Sequence, residues 1–175
     1  MVDLDTNQVL AEFKAAGALL EGHFVLSSGA HAATYLQCAR VMMDAGRGAR
    51  LCAALARRVS AQLAGNGASI DMVASPAMGG VVVGYEMGRQ LGVPALFFER
   101  VEGAFVLRRG FEMAGARVLM VEDVVTTGLS SRECLAAISA AGATPVAAAC
   151  LIDRSGGRAV LDVPLTALAN IDAPI

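Results

Sequence analysis

The chain has 175 residues, of which 55% are hydrophobic and 17% charged, and its formal net charge at pH 7 is −2. This length and composition predict one folded domain over residues 1–175 and exclude an intrinsically disordered chain. A slightly acidic chain also lacks the basic surface that nucleic acid requires, so we expect no nucleic-acid partner.

Targeting signals and cysteine spacing indicate a cytoplasmic protein. The first five residues are acidic and do not resemble a signal peptide. Residues 135–152 carry no charge and have the length of a membrane span, but Gly142 and Pro145 interrupt them. We interpret this segment as a buried helix, a turn and a buried strand, and expect no membrane partner. No C-x-x-C pair occurs, which favours reduced core cysteines over a zinc site at Cys38, Cys52, Cys134 and Cys150.

Hydrophobic periodicity and turn residues divide the chain into alternating elements. Helices are predicted at residues 7–20, 44–63, 81–91 and 130–141. Strands are predicted at residues 23–27, 33–38, 70–74, 95–99, 117–121, 144–152 and 165–170. Thr6 is the predicted N-cap of the first helix, Gly92 ends the third, and residues 28–30 form a turn. Residues 100–111 could form a hairpin with its turn at Glu102 and Gly103.

The alternation of strands and helices from residue 70 to residue 152 predicts a parallel sheet flanked by helices. In such sheets ligands bind beyond the carboxyl ends of the strands. Four polar segments directly follow predicted strands, namely residues 75–80, Arg100, residues 122–130 and residues 153–154. We therefore expect four loops to meet along one edge of the sheet.

The segment from residue 118 to residue 130 carries the strongest functional signal. Its apolar run ends in Glu122 and Asp123, and the turn Thr126-Thr127-Gly128-Leu129-Ser130 leads into a helix. Carboxylates can accept hydrogen bonds from a sugar diol, and the turn offers hydroxyls, backbone N–H groups and a helix N-terminus to a phosphate. A sugar phosphate is the ligand that suits both the carboxylates and the turn. The alternatives are a solvated acidic pair and an ordinary turn with Ser130 as the N-cap.

These residues resemble the phosphoribosyl-pyrophosphate (PRPP) motif of type I phosphoribosyltransferases. Residues 24–29 with Tyr35, residues 75–81, residues 98–100 and residues 151–154 also resemble segments of the orotate phosphoribosyltransferase family. The resemblance extends over roughly residues 7–158. It implies an α/β type I phosphoribosyltransferase fold with a central parallel sheet flanked by helices. Residues 1–43 would supply the first helix and a small hood, and residues 44–175 the core, with a flexible flap near residues 100–111.

The resemblance further implies transfer of a phosphoribosyl group from PRPP to orotate, giving orotidine 5′-monophosphate and pyrophosphate in pyrimidine (UMP) biosynthesis. Asp123 and Glu122 would be catalytic and would hold the ribose. The implied PRPP-binding residues are Ser75, Ala77, Met78, Gly79, Arg100, Glu122, Asp123, Val124, Val125, Thr126, Thr127, Gly128, Leu129 and Ser130. Magnesium would bind mainly through PRPP, with no metal-binding side chain of the protein.

Two further residues are implied to bind orotate, namely Arg154 and Thr126. A guanidinium can hold a carboxylate by two parallel hydrogen bonds, which suits orotate and not uracil or a purine. The alternative is an ion pair between Asp153 and Arg154 at the surface. Arg100 has a similar alternative, a solvated arginine at the end of a strand. Three hood residues are weaker candidates for the base pocket, namely Ser27, Ser28 and Tyr35.

The flap departs from well-known relatives, which carry lysines there and one in the hood. The only lysine of this chain is Lys14, and the flap offers Arg108 and Arg109. Either these arginines replace the lysine charge, or the leaving group is assisted less and the chain is slow or repurposed. The family also implies a homodimer in which the flap serves the neighbouring site. The alternative functions are a purine-type phosphoribosyltransferase and a PRPP-sensing regulator without turnover.

Overall fold

The computed structural model describes residues 3–25 and 31–172. Its helices are α1 (Thr6–Ala15), α2 (Cys38–Met42), α3 (Ala45–Gly65), α4 (Gly79–Leu91) and α5 (Leu129–Ala140). Its strands are β1 (Leu19–Val25), β2 (His31–Leu36), β3 (Met72–Pro76), β4 (Ala95–Val101), β5 (Ala104–Leu107), β6 (Arg117–Val125), β7 (Thr144–Asp153) and β8 (Leu165–Asn170). The predicted turn at residues 28–30, with Ser27 and Ser28, lies outside the described residues.

The central sheet has the strand order β5-β4-β3-β6-β7-β8. All of its neighbouring strands are parallel except β5, which is antiparallel to β4. Strands β1 and β2 form a separate antiparallel pair, which we call the hood. The predicted fold class, a mostly parallel sheet flanked by helices, is confirmed.

The two faces of the sheet are covered by different helices. Alternate residues of β6 pack into different clusters, since Leu119 and Val121 join the side of α3 and Met120 joins the side of α5. This alternation follows from the two-residue repeat of a strand. The next two residues, Glu122 and Asp123, are therefore directed towards opposite faces.

Several predicted boundaries differ from the structure. Helix α1 is capped by Asp5 in a capping box with Gln8 rather than by Thr6, and it ends before Gly17, whose φ is 62°. The five-residue helix α2 has no predicted counterpart. Strand β6 continues to Val125 instead of ending at residue 121, because its last residues still pair with β7. The N-cap of α5 is Gly128 in the left-handed region, and Ser130 already lies inside the helix.

The uncharged segment at residues 135–152 contains the end of α5, a turn and most of β7, as interpreted from the sequence. Among the described residues, no helix has both the length and the apolar character needed to cross a membrane.

Helix α4 packs unusually close to the sheet through Gly80, Gly84 and Gly88, which share one face at four-residue spacing. A Cβ atom at Gly84 would lie 2.0 Å from the Ser75 hydroxyl oxygen, and one at Gly88 would lie 2.9 Å from the Val93 carbonyl oxygen. The absence of these side chains allows the start of α4 to approach the carboxyl end of β6.

The substitution Gly88→Ala should lower the free energy of unfolding by about 1–3 kcal/mol, because the added methyl group overlaps backbone atoms that cannot rotate away. Chemical unfolding of the purified variant measures this effect. Gly65→Ala is the matched control, since a Cβ atom at Gly65 has no neighbour within 4 Å. Equal stability of the two variants would contradict the close-packing explanation.

Candidate active site

The loops after β3, β4, β6 and β7 are joined by backbone hydrogen bonds at the carboxyl edge of the sheet. The Ala77 amide donates to the Phe98 carbonyl at 2.8 Å, and the Arg154 amide donates to the Val125 carbonyl at 2.9 Å. The structure thus brings the four predicted polar segments to one edge.

Glu122 and Asp123 occupy different surroundings at this edge. The Ser131 hydroxyl of α5 donates to Glu122 Oε2 at 2.5 Å, and both residues are buried. Asp123 lies on the other face, where a Cβ atom at Gly79 would be 2.6 Å from its Oδ2 atom. Only glycine at position 79 leaves room for this carboxylate beside the start of α4.

Burial also makes both carboxylates easier to protonate. The pKa of Glu122 is raised to about 7, mainly by burial and also by the negative charge of Asp123, whereas the hydrogen bond from Ser131 opposes the rise. Burial likewise raises the pKa of Asp123. A cationic ligand or a set of hydroxyl donors at this edge would therefore stabilise the ionised pair.

The predicted phosphate turn is an ordered bend between β6 and α5. Gly128 has a φ of 76°, a left-handed conformation that glycine adopts without strain. Arg132, which the sequence did not single out, donates to the Thr127 carbonyl at 3.2 Å and the Val160 carbonyl at 3.1 Å. These two hydrogen bonds from Arg132 hold the backbone of the turn, while the side chains of Thr127 and Leu129 remain exposed.

The loop after β3 presents backbone rather than side chains to the edge. The Ser75 hydroxyl is buried under Gly84 of α4 and has no hydrogen-bond partner among the described residues. The peptide bond between Ala77 and Met78 is cis, and the Met78 side chain is largely exposed. Any contact of Ser75 with a ligand at this edge would therefore involve its main chain.

Arg100 lies at the end of β4 next to the start of α5. Its guanidinium forms an ion pair with Glu133, donates to the Gly103 carbonyl at 2.6 Å and lies 4.1 Å from the Phe105 ring centroid. It also approaches the Ser130 hydroxyl at 3.5 Å. Arg100 is thus exposed at the end of the strand but held beside the predicted phosphate turn, and its role in binding a ligand stays a prediction.

The predicted flap is a tight hairpin with Glu102 and Gly103 at its turn, both at positive φ. Positive φ at both central residues is typical of the turns that close two-residue hairpins. Because β5 runs back from the edge and Leu107 pairs with Phe98, Arg108 and Arg109 follow at the base of the hairpin.

Arg109 is held at this base by its neighbours. It binds both carboxylate oxygens of Glu99, at 3.0 and 2.8 Å, and its guanidinium lies 5.7 Å from the Phe97 ring centroid. Arg108 is exposed. The register puts the backbone of both arginines back along the hairpin from the end of β4, and the Arg109 guanidinium is held on Glu99.

Arg154 is a buried cation that pairs with no carboxylate in the part of the chain that the structure describes. The side chain has 7% exposure, its Nε atom has no hydrogen-bond partner among the described residues, and one Nη atom donates to the Thr34 carbonyl at 3.4 Å. Burial lowers its pKa from the ordinary value of arginine. Asp153 instead accepts a hydrogen bond from the Ser155 amide, so the alternative of an Asp153–Arg154 surface pair is wrong.

The hood contributes to the same region through β2. Thr34 contacts Arg154, and the ring of the adjacent Tyr35 packs on Phe24 with 5.7 Å between centroids. The base-pocket candidates Ser27 and Ser28 lie outside the described residues.

Comparison with known proteins gives the same family over nearly the whole chain. Residues 45–172 match the phosphoribosyl transferase domain family. The chain is 59% identical over 170 residues to the orotate phosphoribosyltransferase of Sphingopyxis alaskensis, covering 96% of this chain and 85% of that protein. For the Parvibaculum lavamentivorans enzyme of the same name, the identity is 55% over 172 residues, covering 98% and 87%.

A solved structure agrees with these relatives. The crystal structure of orotate phosphoribosyltransferase from Aeropyrum pernix matches with a TM-score of 0.72 at 27% identity, covering 93% of both chains. The PRPP-motif resemblance, the fold and these relatives together show that the chain belongs to the phosphoribosyltransferase family and, within it, to the orotate phosphoribosyltransferases.

Proposed function

We propose that this protein transfers the 5-phosphoribosyl group of PRPP to N1 of orotate, giving orotidine 5′-monophosphate and pyrophosphate in de novo pyrimidine biosynthesis. The observation that carries the proposal is the buried Arg154, for which the described residues supply no carboxylate. A buried guanidinium is costly unless an anion pairs with it. The carboxylate of orotate meets that requirement, and a purine-type base does not.

The carboxylates and the phosphate turn support PRPP as the other substrate. Glu122 and Asp123 would accept hydrogen bonds from the ribose hydroxyls, and their charge would favour the positive ribose of the transition state. The turn from Thr126 to Ser130 would bind the 5-phosphate at the start of α5. Fixing ribose and orotate at one sheet edge would align N1 with C1 of the ribose.

The pyrophosphate would lie between the loop after β3 and Arg100. Backbone N–H groups near Ala77, Met78 and Gly79 are suited to its oxygens, and no side chain at Gly79 blocks the approach. Arg100 would exchange its ion pair with Glu133 for the pyrophosphate. Both partners of that pair are about 40% exposed, so the exchange has a small electrostatic cost.

Magnesium fits this arrangement as an ion carried by the substrate. Among residues 3–25 and 31–172, no group of three or more potential metal-binding side chains occurs. Mg²⁺ commonly keeps several waters and binds through substrate phosphates. When bound, it would neutralise charge on the pyrophosphate leaving group.

We also infer a cytoplasmic location for the protein. Cys38, Cys52, Cys134 and Cys150 are all buried and free. Unpaired core cysteines are typical of a reducing compartment.

A homodimer in which the hairpin serves the neighbouring site accounts for Arg108 and Arg109. Their location at the base of the hairpin leaves them away from their own sheet edge. Exposed apolar side chains at the end of α2 and the start of α4 would offer a contact for a second copy, namely Met43, Met78, Val82 and Tyr85. Exposed apolar surface often marks an interface.

The proposed activity predicts magnesium-dependent orotidine 5′-monophosphate from orotate and PRPP, with no nucleotide from uracil or adenine. Chromatography of the three parallel reactions measures this selectivity. Nucleotide from adenine would indicate the purine-type alternative. PRPP binding without product from any base would indicate a regulator.

The substitution Arg154→Met should lower kcat/KM for orotate at least about 100-fold while leaving the unfolding temperature unchanged or raised. The functional loss follows from the missing charge-assisted hydrogen bonds, and the stability follows because a buried unpaired charge is replaced by an apolar side chain. Arg158→Ala is the control, since Arg158 is exposed and paired with Asp172. Normal orotate kinetics for Arg154→Met would contradict the assignment.

The dimer proposal predicts complementation between two inactive variants. A tandem-tagged heterodimer of Asp123→Asn with Arg108→Ala/Arg109→Ala should have about half the wild-type activity per dimer, because one site keeps both its own carboxylate and its partner's arginines. Each parent homodimer should be slow. A wild-type/Asp123→Asn heterodimer, measured in the same steady-state assay, is the control. An inactive mixed heterodimer beside an active control would exclude sharing between subunits.

A further inference from the structure

We propose that Ser131 is a positioning residue for the reaction, because its hydroxyl holds the Glu122 carboxylate in the orientation and the ionised form that PRPP requires. Ser131 lies behind Glu122 on α5 and acts through it rather than on the substrate. This inference rests on the proposed function.

The hydroxyl group of Ser131 is unusual because this residue lies on the buried face of a helix. Ser131 has 1% exposure and lies on the buried face of α5, which it shares with Cys134, Leu135 and Ile138. An apolar residue is expected at that position of the helical repeat. Its Oγ atom instead donates to Glu122 Oε2 at 2.5 Å, which is the length of a strong charge-assisted hydrogen bond.

The position of Ser131 in α5 also favours the ionised form of Glu122. It lies in the first turn of the twelve-residue α5, where the helix dipole favours negative charge nearby. The hydroxyl reaches back to the end of β6 and fixes one oxygen of the carboxylate. The carboxylate would then be oriented to accept a hydrogen bond from a ribose hydroxyl.

The other polar groups around Glu122 include Ser130, whose hydroxyl also forms a hydrogen bond with this carboxylate. Ser130 of α5 and Arg100 of β4 favour the ionised form, and Asp123 on the same strand opposes it. The thiols that face it are Cys134 of α5 and Cys150 of β7, and burial raises the pKa of each far above neutrality, so they carry no charge. Arg100 is already paired with Glu133. Burial therefore dominates and holds the pKa of Glu122 at about 7, even with Ser131 in place.

Removal of the Ser131 hydroxyl changes the pKa of Glu122 in one direction. A hydrogen bond to the charged form lowers the pKa of a carboxyl group, so removing it raises the pKa of Glu122. The acid limb of kcat/KM for PRPP, which reports the free enzyme, should move to higher pH. A serine that merely fills the core would change thermal stability without moving this limb.

The test compares kcat/KM for PRPP between pH 5.5 and 9.5 in wild type, Ser131→Ala and Ser131→Thr. For a rise of one pKa unit, Ser131→Ala should be slower than wild type by about fivefold at pH 7 and about ninefold at pH 6, with little difference above pH 9. PRPP titrates identically in every assay, so the ratio of variant to wild type isolates Glu122. Ser131→Thr keeps the hydroxyl and should restore the ratio.

Ser139→Ala is the matched control, since its hydroxyl in the same helix bonds only to the Leu135 carbonyl. Ser131→Cys preserves side-chain volume with a weak donor, and it should give the pH signature even if Ser131→Ala does not fold. A ratio that is independent of pH in Ser131→Ala and Ser131→Cys, with an active wild type, would overturn this inference alone. A wild type that forms no orotidine 5′-monophosphate would overturn the proposed function instead.

Discussion

The central strand β6 is constrained by having to carry two adjacent carboxylates, buried Glu122 and half-buried Asp123, where a parallel sheet is covered on both faces. The two-residue repeat of the strand directs Glu122 towards α5 and Asp123 towards α4. Each helix is adapted to the carboxylate it meets. Helix α5 supplies a hydroxyl donor from its buried face, and α4 begins with Gly79, which leaves space for the Asp123 oxygens. Gly79 of α4 and Ser131 of α5 thus each accommodate one carboxylate of the same strand.

The charges of the candidate site remain separated in the folded chain. Glu122 is buried and Asp123 half-buried on β6, whereas the Arg154 guanidinium is buried after β7 and pairs with no carboxylate of the described residues. Neutralising these groups against one another would stabilise the fold and remove the site. The separation instead suits a pair of ligands, one developing positive charge on a sugar and the other carrying a carboxylate. The structure thus keeps a local electrostatic cost that substrate binding would relieve.

Much of this arrangement could be predicted from the sequence because it depends on local patterns. Alternating strands and helices indicated the sheet, and Glu122 and Asp123 before a Thr-Thr-Gly turn indicated its functional edge. The continuation of β6 to Val125 depends on pairing with β7, which no local pattern reports. Ser131 could have been noticed as a hydroxyl on the apolar face of α5, but its partner is a strand residue brought near only by folding.

The strand register of the hairpin determines which of its arginines lies at the carboxyl edge of the sheet. Arg108 and Arg109 follow β5, and antiparallel pairing carries them away from the edge where Arg100 remains. A two-residue turn with positive φ at Glu102 and Gly103 returns the chain directly along β4. Within one chain, Arg100 is thus the arginine of this hairpin that lies beside the start of α5. Its weak, half-exposed pair with Glu133 holds the guanidinium in place without binding it tightly. In the proposed homodimer, the lysine-free flap would divide the charge of the leaving-group site between Arg100 of one chain and Arg108 and Arg109 of the other.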